Sequence, residues 1–174
     1  MPLARRYKAD IVLQTKIFIG MWAIYNMDGR VNYLDGNQYA QVFSNGTYFA
    51  EIYPMDRKAD VRYALKTFLM GLVVPEEITV HGSKEQNSPG TEFMKCFWRN
   101  DISLTRTKPE RTNQNTEERV VREVQRRWFQ TMIRNIVPRK LWYYGVQWTT
   151  QVIQRTSTQS GGLRGTFPFQ DVTG

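Results

Sequence analysis

The hydrophobic pattern changes period near residue 56, and this change limits the chain to a mixed α/β fold. Before it, the stretches 17–25, 38–43 and 47–53 are rich in β-branched and aromatic residues. The last two flank Asn45-Gly46, a dipeptide that tolerates the positive φ angles of a tight hairpin turn. Three antiparallel strands follow, with 28–37 as the first connection. After residue 56, Val61, Ala64, Leu65, Phe68 and Leu69 recur at helical spacing, and Gly71 is the stop signal of a helix over 56–71.

The pattern then alternates. A short strand at 77–80 runs into His81-Gly82, and a Gly/Ser/Asn-rich loop covers 82–90. A short helix at 91–99 and a strand at 102–105 come next. Residues 106–116 (RTKPERTNQNT) form a polar basic loop. The longest helix, 117–135, repeats Val121, Val124, Trp128 and Met132 on one face. Pro138, favoured in a first helical turn, opens a final helix expected to turn Leu141, Tyr144, Trp148 and Val152 inward. The order β-β-β-α-β-α-β-α-α implies a mixed five-stranded sheet with helices on both faces. Residues 1–16 read as a linker, 17–156 as one core, and the Gly/Ser/Thr-rich 157–174 as a tail.

Charge and cysteine usage exclude several classes. The 174 residues carry 24 Lys+Arg against 16 Asp+Glu, a net charge of +8. After residue 100 the count is 12 basic to 6 acidic, so the excess belongs to the C-terminal part. A single cysteine, Cys96, and a single histidine, His81, exclude a disulfide framework and a Cys/His zinc cluster within the chain. Cys96 reads as a small buried hydrophobe. The longest apolar stretch, 17–27, is too short to span a bilayer, and residues 1–10 lack the order of a secretory signal. No membrane partner and an intracellular, reducing compartment are therefore expected.

Several segments in order give the chain a family resemblance. They are Trp22-Ala23-Ile24-Tyr25 in the first strand, Tyr39-Ala40-Gln41-Val42-Phe43 in the hairpin, and Val74-Pro75-Glu76-Glu77-Ile78 before the fourth strand. Gly90-Thr91-Glu92-Phe93 and Asn113-Gln114-Asn115, with Glu118 at the opening of the long helix, complete the set. Over roughly 22–155 the chain resembles the retroviral-type integrase core of LTR retrotransposons, in a degenerate copy. The resemblance implies a ribonuclease H-like fold, DNA as partner, a homodimer through the helices, and a nuclear or virus-like-particle location.

It also implies a mechanism. The family holds a pair of Mg²⁺ ions on two Asp and one Glu to drive in-line phosphoryl transfer. Its two aspartates correspond to Tyr25 and His81, and its glutamate to Glu118. Only Glu118 is retained as a metal ligand. A phenol and an imidazole are poor substitutes for carboxylates toward Mg²⁺, so the expectation is impaired catalysis with no bound Mg²⁺. Asp28 and Glu85 lie near the two altered positions but read as loop residues. Glu117 and Glu123 read as a solvated first turn.

Binding needs no metal. Arg119, Arg122 and Arg126 recur at three and four and form one stripe beside Glu118, with Arg106, Lys108 and Arg111 on the preceding loop. By resemblance, Gln114 and Asn115 lie near the scissile bond. Arginines at this spacing can neutralise several phosphates in a salt-dependent, sequence-independent way. Trp142, Tyr143, Tyr144 and Trp148 could stack on unpaired bases, but their helical spacing favours core packing and a helix-mediated dimer contact. The alternative reading is a non-catalytic structural or interaction subunit built on the same core.

Overall fold

The first strand, β1 (Met21–Asp28), lies at the centre of the sheet because both neighbours bury it. In the computed structural model the described residues are 21–45, 49–71, 74–80, 90–106 and 116–156. Strands β2 (Tyr39–Ser44), β3 (Ala50–Met55), β4 (Glu77–Val80) and β5 (Ser103–Arg106) join β1 in the order β3-β2-β1-β4-β5. The pairs β1·β2 and β2·β3 are antiparallel, whereas β1·β4 and β4·β5 are parallel. This is the mixed five-stranded sheet that the element order implied. The β1–β2 connection is closed by hydrogen bonds from Gly29 N to Gln38 O and from Tyr33 N to Asn37 O.

Four α-helices flank the sheet among the described residues: α1 (Val61–Gly71), α2 (Glu92–Arg99), α3 (Thr116–Arg134) and α4 (Trp142–Gln154). Thr91 caps α2, its hydroxyl accepting the Met94 N–H at 3.3 Å, which satisfies one free amide of the first turn. The helix expected from residue 56 is shorter. A 3₁₀ turn at Lys58–Asp60 precedes α1, and the Arg57 N–H donates to the Asp60 carboxylate at 3.0 Å. Pro138 likewise precedes a 3₁₀ turn, Arg139–Leu141, before α4 begins.

Period-2 alternation along β1 divides the core in two. Trp22 and Ile24 face α1 and α2 and join Phe43, Leu65, Phe68, Phe93 and Phe97. Met27 faces the other way and joins Val42, Val120, Val121, Val124 and Trp128 under α3 and α4. The stacked Phe43 and Phe68 rings, 4.2 Å between centroids, anchor the first cluster. Cys96 is only half-buried at the outer side of that cluster, so the expectation of full burial is corrected.

The orientation of α4 also corrects the sequence reading. Tyr144 and Trp148 are more than half exposed, and Trp142, Tyr143, Val146, Thr149 and Ile153 face inward. Two hydrogen bonds select this face: the Tyr143 hydroxyl donates to Ile52 O at 3.0 Å, and Gln154 Nε2 donates to Ala50 O. Both acceptors belong to β3, an edge of the sheet, so α4 covers a strand that would otherwise be open to further pairing. No described helix is long and apolar enough to cross a membrane.

Candidate nucleic-acid interface

The parallel register of β1 and β4 fixes one end of the sheet. Ile24 pairs with Val80, the last residue of β4, and Val80 pairs with Arg106, the last residue of β5. Tyr25 therefore follows directly on the last residue that β1 shares with β4. It does not end the strand, as the sequence reading had it: β1 continues to Asp28, and Tyr25 remains paired with Val42 on the other side. Arg106 is an exposed strand residue rather than the first residue of a loop. His81, Glu85, Lys108, Arg111, Gln114 and Asn115 lie outside the described residues.

The neighbours of Tyr25 are committed to backbone geometry. Gln41 is fully buried and donates from Nε2 to Tyr25 O at 2.9 Å. The Asp28 carboxylate accepts the Arg30 N–H at 2.7 Å, a local turn bond that supports Arg30 at φ 59°. Asp28 is thus the last residue of β1, and its carboxylate serves the turn that follows. Among the described residues, no group of three His, Cys, Asp or Glu side chains could hold a metal ion. The donor that β1 offers at position 25 is a phenol. A phenol is a poorer ligand for a hard divalent cation than a carboxylate.

Helix α3 packs against β1 and β2 through Val120, Val121 and Val124, which sets its opposite face toward solvent. Glu118 is the third residue of α3, and its side chain lies outside the described ones, as does that of Glu117. Arg119, Arg122 and Arg126 are exposed. The stripe is not uniformly cationic, because Glu123 lies within it. Arg126 grips the Glu123 carboxylate with Nε at 2.9 Å and Nη2 at 2.8 Å, and Arg127 Nε donates to it at 2.6 Å. The bidentate Arg126 bond, with Arg127 beside it, holds the Glu123 pKa down at about 2. Glu123 is therefore an anchored ion-pair centre rather than a solvated first-turn residue.

A cleft of about 900 Å³ opens between α3 and the β1–β2 turn. Its turn side is Tyr25 and the run from Asn26 to Val31; its helix side presents Arg122, Gln125, Arg126 and Phe129. Trp142 and Val146 of α4 lie at its base, and Arg139 of the preceding 3₁₀ turn stands at its rim. Two glycines shape this base. A Cβ on Gly29 would lie 2.3 Å from the Trp142 indole, and one on Gly145 would lie 1.9 Å from the Trp128 ring. Each tryptophan rests where a neighbouring chain segment has no side chain. Four arginines and one aspartate line the cleft, so it is cationic with an aromatic base.

Of the residues singled out from the sequence for binding, Arg122 and Arg126 line this cleft, whereas Arg30, Phe129 and Arg139 were not singled out. The available signals were Asp28-Gly29-Arg30 directly after a strand and Arg139-Lys140 directly after Pro138. Neither identifies a partner element by itself, since the turn side and the helix side lie in opposite halves of the chain.

The sheet order, the helix on each face and the two buried clusters define a ribonuclease H-like fold of the retroviral integrase core type. Solved structures of such cores are its structural neighbours. The BIV integrase catalytic core domain superposes with a TM-score of 0.61 at 12% identity, covering 87% of this chain and 92% of that one. A chain of the cryo-EM structure of the simian T-cell lymphotropic virus intasome in complex with PP2A regulatory subunit B56 gamma gives a TM-score of 0.71 at 13% identity. That match covers 90% of this chain but only 55% of the other, so this chain spans about half the intasome chain's length. No protein-family model matches the sequence. No curated protein matches it either.

Proposed function

We propose that this chain is an integrase-type core of retrotransposon lineage that binds DNA through the exposed arginines of α3 and has lost or nearly lost metal-dependent strand transfer. The observation that carries the reading is Arg119 and Arg122 on the solvent face of α3, next to a cationic cleft at the end of β1. Part of the Arg126 charge is offset by Glu123. The catalytic part rests on donor chemistry: Tyr25 and His81 stand where the family resemblance puts aspartates, which leaves Glu118 as the one carboxylate.

Binding to duplex DNA across a salt series tests the first part. Replacing Arg119 and Arg122 with Ala should reduce the slope of log K against log salt by about 2, one for each phosphate deprived of its arginine. An unchanged slope refutes the assignment to α3. A Mg²⁺-dependent nicking and strand-transfer assay tests the second part, with no product expected. Product formed by the unmodified chain and abolished by Glu118→Ala refutes it.

A second reading, an interaction subunit that self-associates, is favoured by Tyr144, Trp148 and Val152, an exposed apolar stripe on α4. A concentration-dependent dimer in sedimentation equilibrium, abolished by Trp148→Glu, supports that reading. A monomer at all concentrations removes it.

A further inference from the structure

The two edges of the sheet are finished differently. On β3 the outward-facing residues are Ala50, Ile52 and Pro54. The Ala50 and Ile52 carbonyls accept from Gln154 Nε2 and the Tyr143 hydroxyl, and Pro54 has no N–H to offer. The other edge, β5, has no such closure. Ser103 N donates to Glu76 O at 2.8 Å, so Ser103 and Thr105 turn their backbone groups to β4, and Leu104 and Arg106 turn theirs outward. Among the described residues nothing meets those outward N–H and C=O groups, and Ser103, Thr105 and Arg106 are exposed. Leu104 is half-buried, its side chain packed on the first cluster. An open edge of this kind is a template for one more strand.

Residues 1–20, which lie outside the described ones, hold a segment that fits it. Ile11-Val12-Leu13 is apolar and mostly β-branched, and Gln14-Thr15 continues the stretch without Gly or Pro. The chain enters β1 at Met21, level with Glu77 and Ser103 through the register, so residues 1–20 join the sheet at the end where β5 begins. A strand beyond β5 lies three inter-strand spacings from β1, about 14 Å, and residues 15–20 can span roughly 20 Å. The stretch after residue 156 is worse placed, because α4 ends against β3 at the opposite edge, where Gln154 bonds to Ala50 O. We infer that residues 11–15 add to the sheet as a further strand antiparallel to β5, with Leu13 opposite Leu104 and Ile11 opposite Arg106. In this register Leu13 extends the first cluster, and Val12 and Gln14 lie beside Thr105 and Ser103. The strand direction sets its first residue beside Arg106, so Arg5, Arg6 and Lys8 enter at the end of the sheet where Tyr25 and Val80 lie.

Amide hydrogen exchange resolved by NMR in the full chain tests the pairing. The Leu104 and Arg106 N–H groups should exchange at least about ten-fold more slowly than in Leu13→Pro, which cannot donate to Leu104 O and breaks the added strand. The Thr105 N–H, which serves β4, should stay protected in both chains and so reports that the sheet itself persists. Cysteine pairs test the register. In a Cys96→Ser background, Val12→Cys with Thr105→Cys, and Gln14→Cys with Ser103→Cys, should each close an intramolecular disulfide under oxidised glutathione, since directly opposed antiparallel residues have Cα atoms roughly 4.5–5.5 Å apart. Val12→Cys with Glu51→Cys, on the other edge, should not.

Equal exchange of the Leu104 N–H in the unmodified chain and in Leu13→Pro overturns the inference, as does failure of both β5 disulfides to form. Protection that grows with protein concentration also overturns it, since a second copy would then be pairing with β5. So does protection that survives Leu13→Pro and is lost on removal of residues 157–174, which would make that stretch the occupant.

Discussion

Replacing Gly145 with Ala is the most direct probe of how α3 and α4 are held together. On propensity alone the change should stabilise α4 by roughly 0.8–1 kcal/mol, because Ala is the better helix former in an interior position. The packing opposes it. The new Cβ would lie 1.9 Å from Cζ3 and 2.1 Å from Cη2 of Trp128, an indole only 9% exposed and fixed between the sheet and the two helices. Overpacking of that kind costs about 1–3 kcal/mol, and a rigid bicyclic ring gives little room to yield. With so close an overlap the cost falls in the upper half of that range, about 2–3 kcal/mol, and after the propensity gain a net destabilisation of ~1–2 kcal/mol is expected, or about 2–8 °C in Tm for a chain of this length. Urea denaturation should show a lower midpoint at unchanged slope. The partner variant Trp128→Leu alone should lose ~2–4 kcal/mol through reduced burial. In the double variant the methyl group would occupy vacated space, so the two changes should cost less together than in sum by ~1 kcal/mol or more. A neutral or stabilising Gly145→Ala, or strict additivity, would refute the claim that close approach of Trp128 is the reason for glycine at this position.

Two further predictions concern ionisable groups. Tyr143→Phe removes the donor to Ile52 O and should destabilise the fold by about 1–2 kcal/mol, the cost of a buried acceptor left alone; an unchanged urea midpoint would count against an edge-covering role for α4. Burial, followed by the nearby Glu51, pushes the Tyr143 pKa up to about 12, so this stability is complete below the unfolded value near 10 and fades only between roughly pH 10 and 12. For Glu123 the sign is the opposite: its folded pKa, about 2, lies below the unfolded value, so its contribution is present above about pH 4.3 and fades toward pH 2. Both arginine partners are about half exposed and screened, so ~1 kcal/mol is expected from this centre rather than the several implied by the pKa alone. Thermal melts of Glu123→Gln at pH 2 and pH 6 should show the difference from the unmodified chain only at the higher pH.

Much of the fold was legible because one periodicity dominated each segment. Val61, Ala64, Leu65 and Phe68 had no competing face, and they are the residues α1 buries. The same holds for Val121, Val124 and Trp128 in α3, although Val120 joins them. In α4 the two possible stripes, 141/144/148/152 and 142/146/149/153, both have helical spacing, and the first is the more apolar. The second faces the core because Tyr143 and Gln154 find carbonyls on β3 and Trp142 finds the notch at Gly29, and none of these partners is local in sequence. Gly29 and Gly145 were silent for the same reason. A glycine required by a tryptophan from another element carries no neighbouring turn signal to announce it. Ile136, held at φ 51° and 90% exposed after α3, occupies a helix-end position that usually selects Gly or Asn, and no local rule anticipates it.

The candidate site divides along the same line, and the division bears on how such a core changes. The register Ile24 to Val80 is fixed by the burial of Ile24, Ile78 and Val80, all of them wholly enclosed. Tyr25 instead packs from the next position against the second cluster, whereas replacing Trp22 or Phe68 would disrupt the first cluster, which aligns the strands. The arginine face of α3 behaves differently. Arg126 and Arg127 are tied to Glu123, so part of that face contributes to the helix itself and would be retained for stability even without a ligand. Arg119 has no such role among the described ion pairs, so its replacement should change the stability of α3 less than that of Arg126.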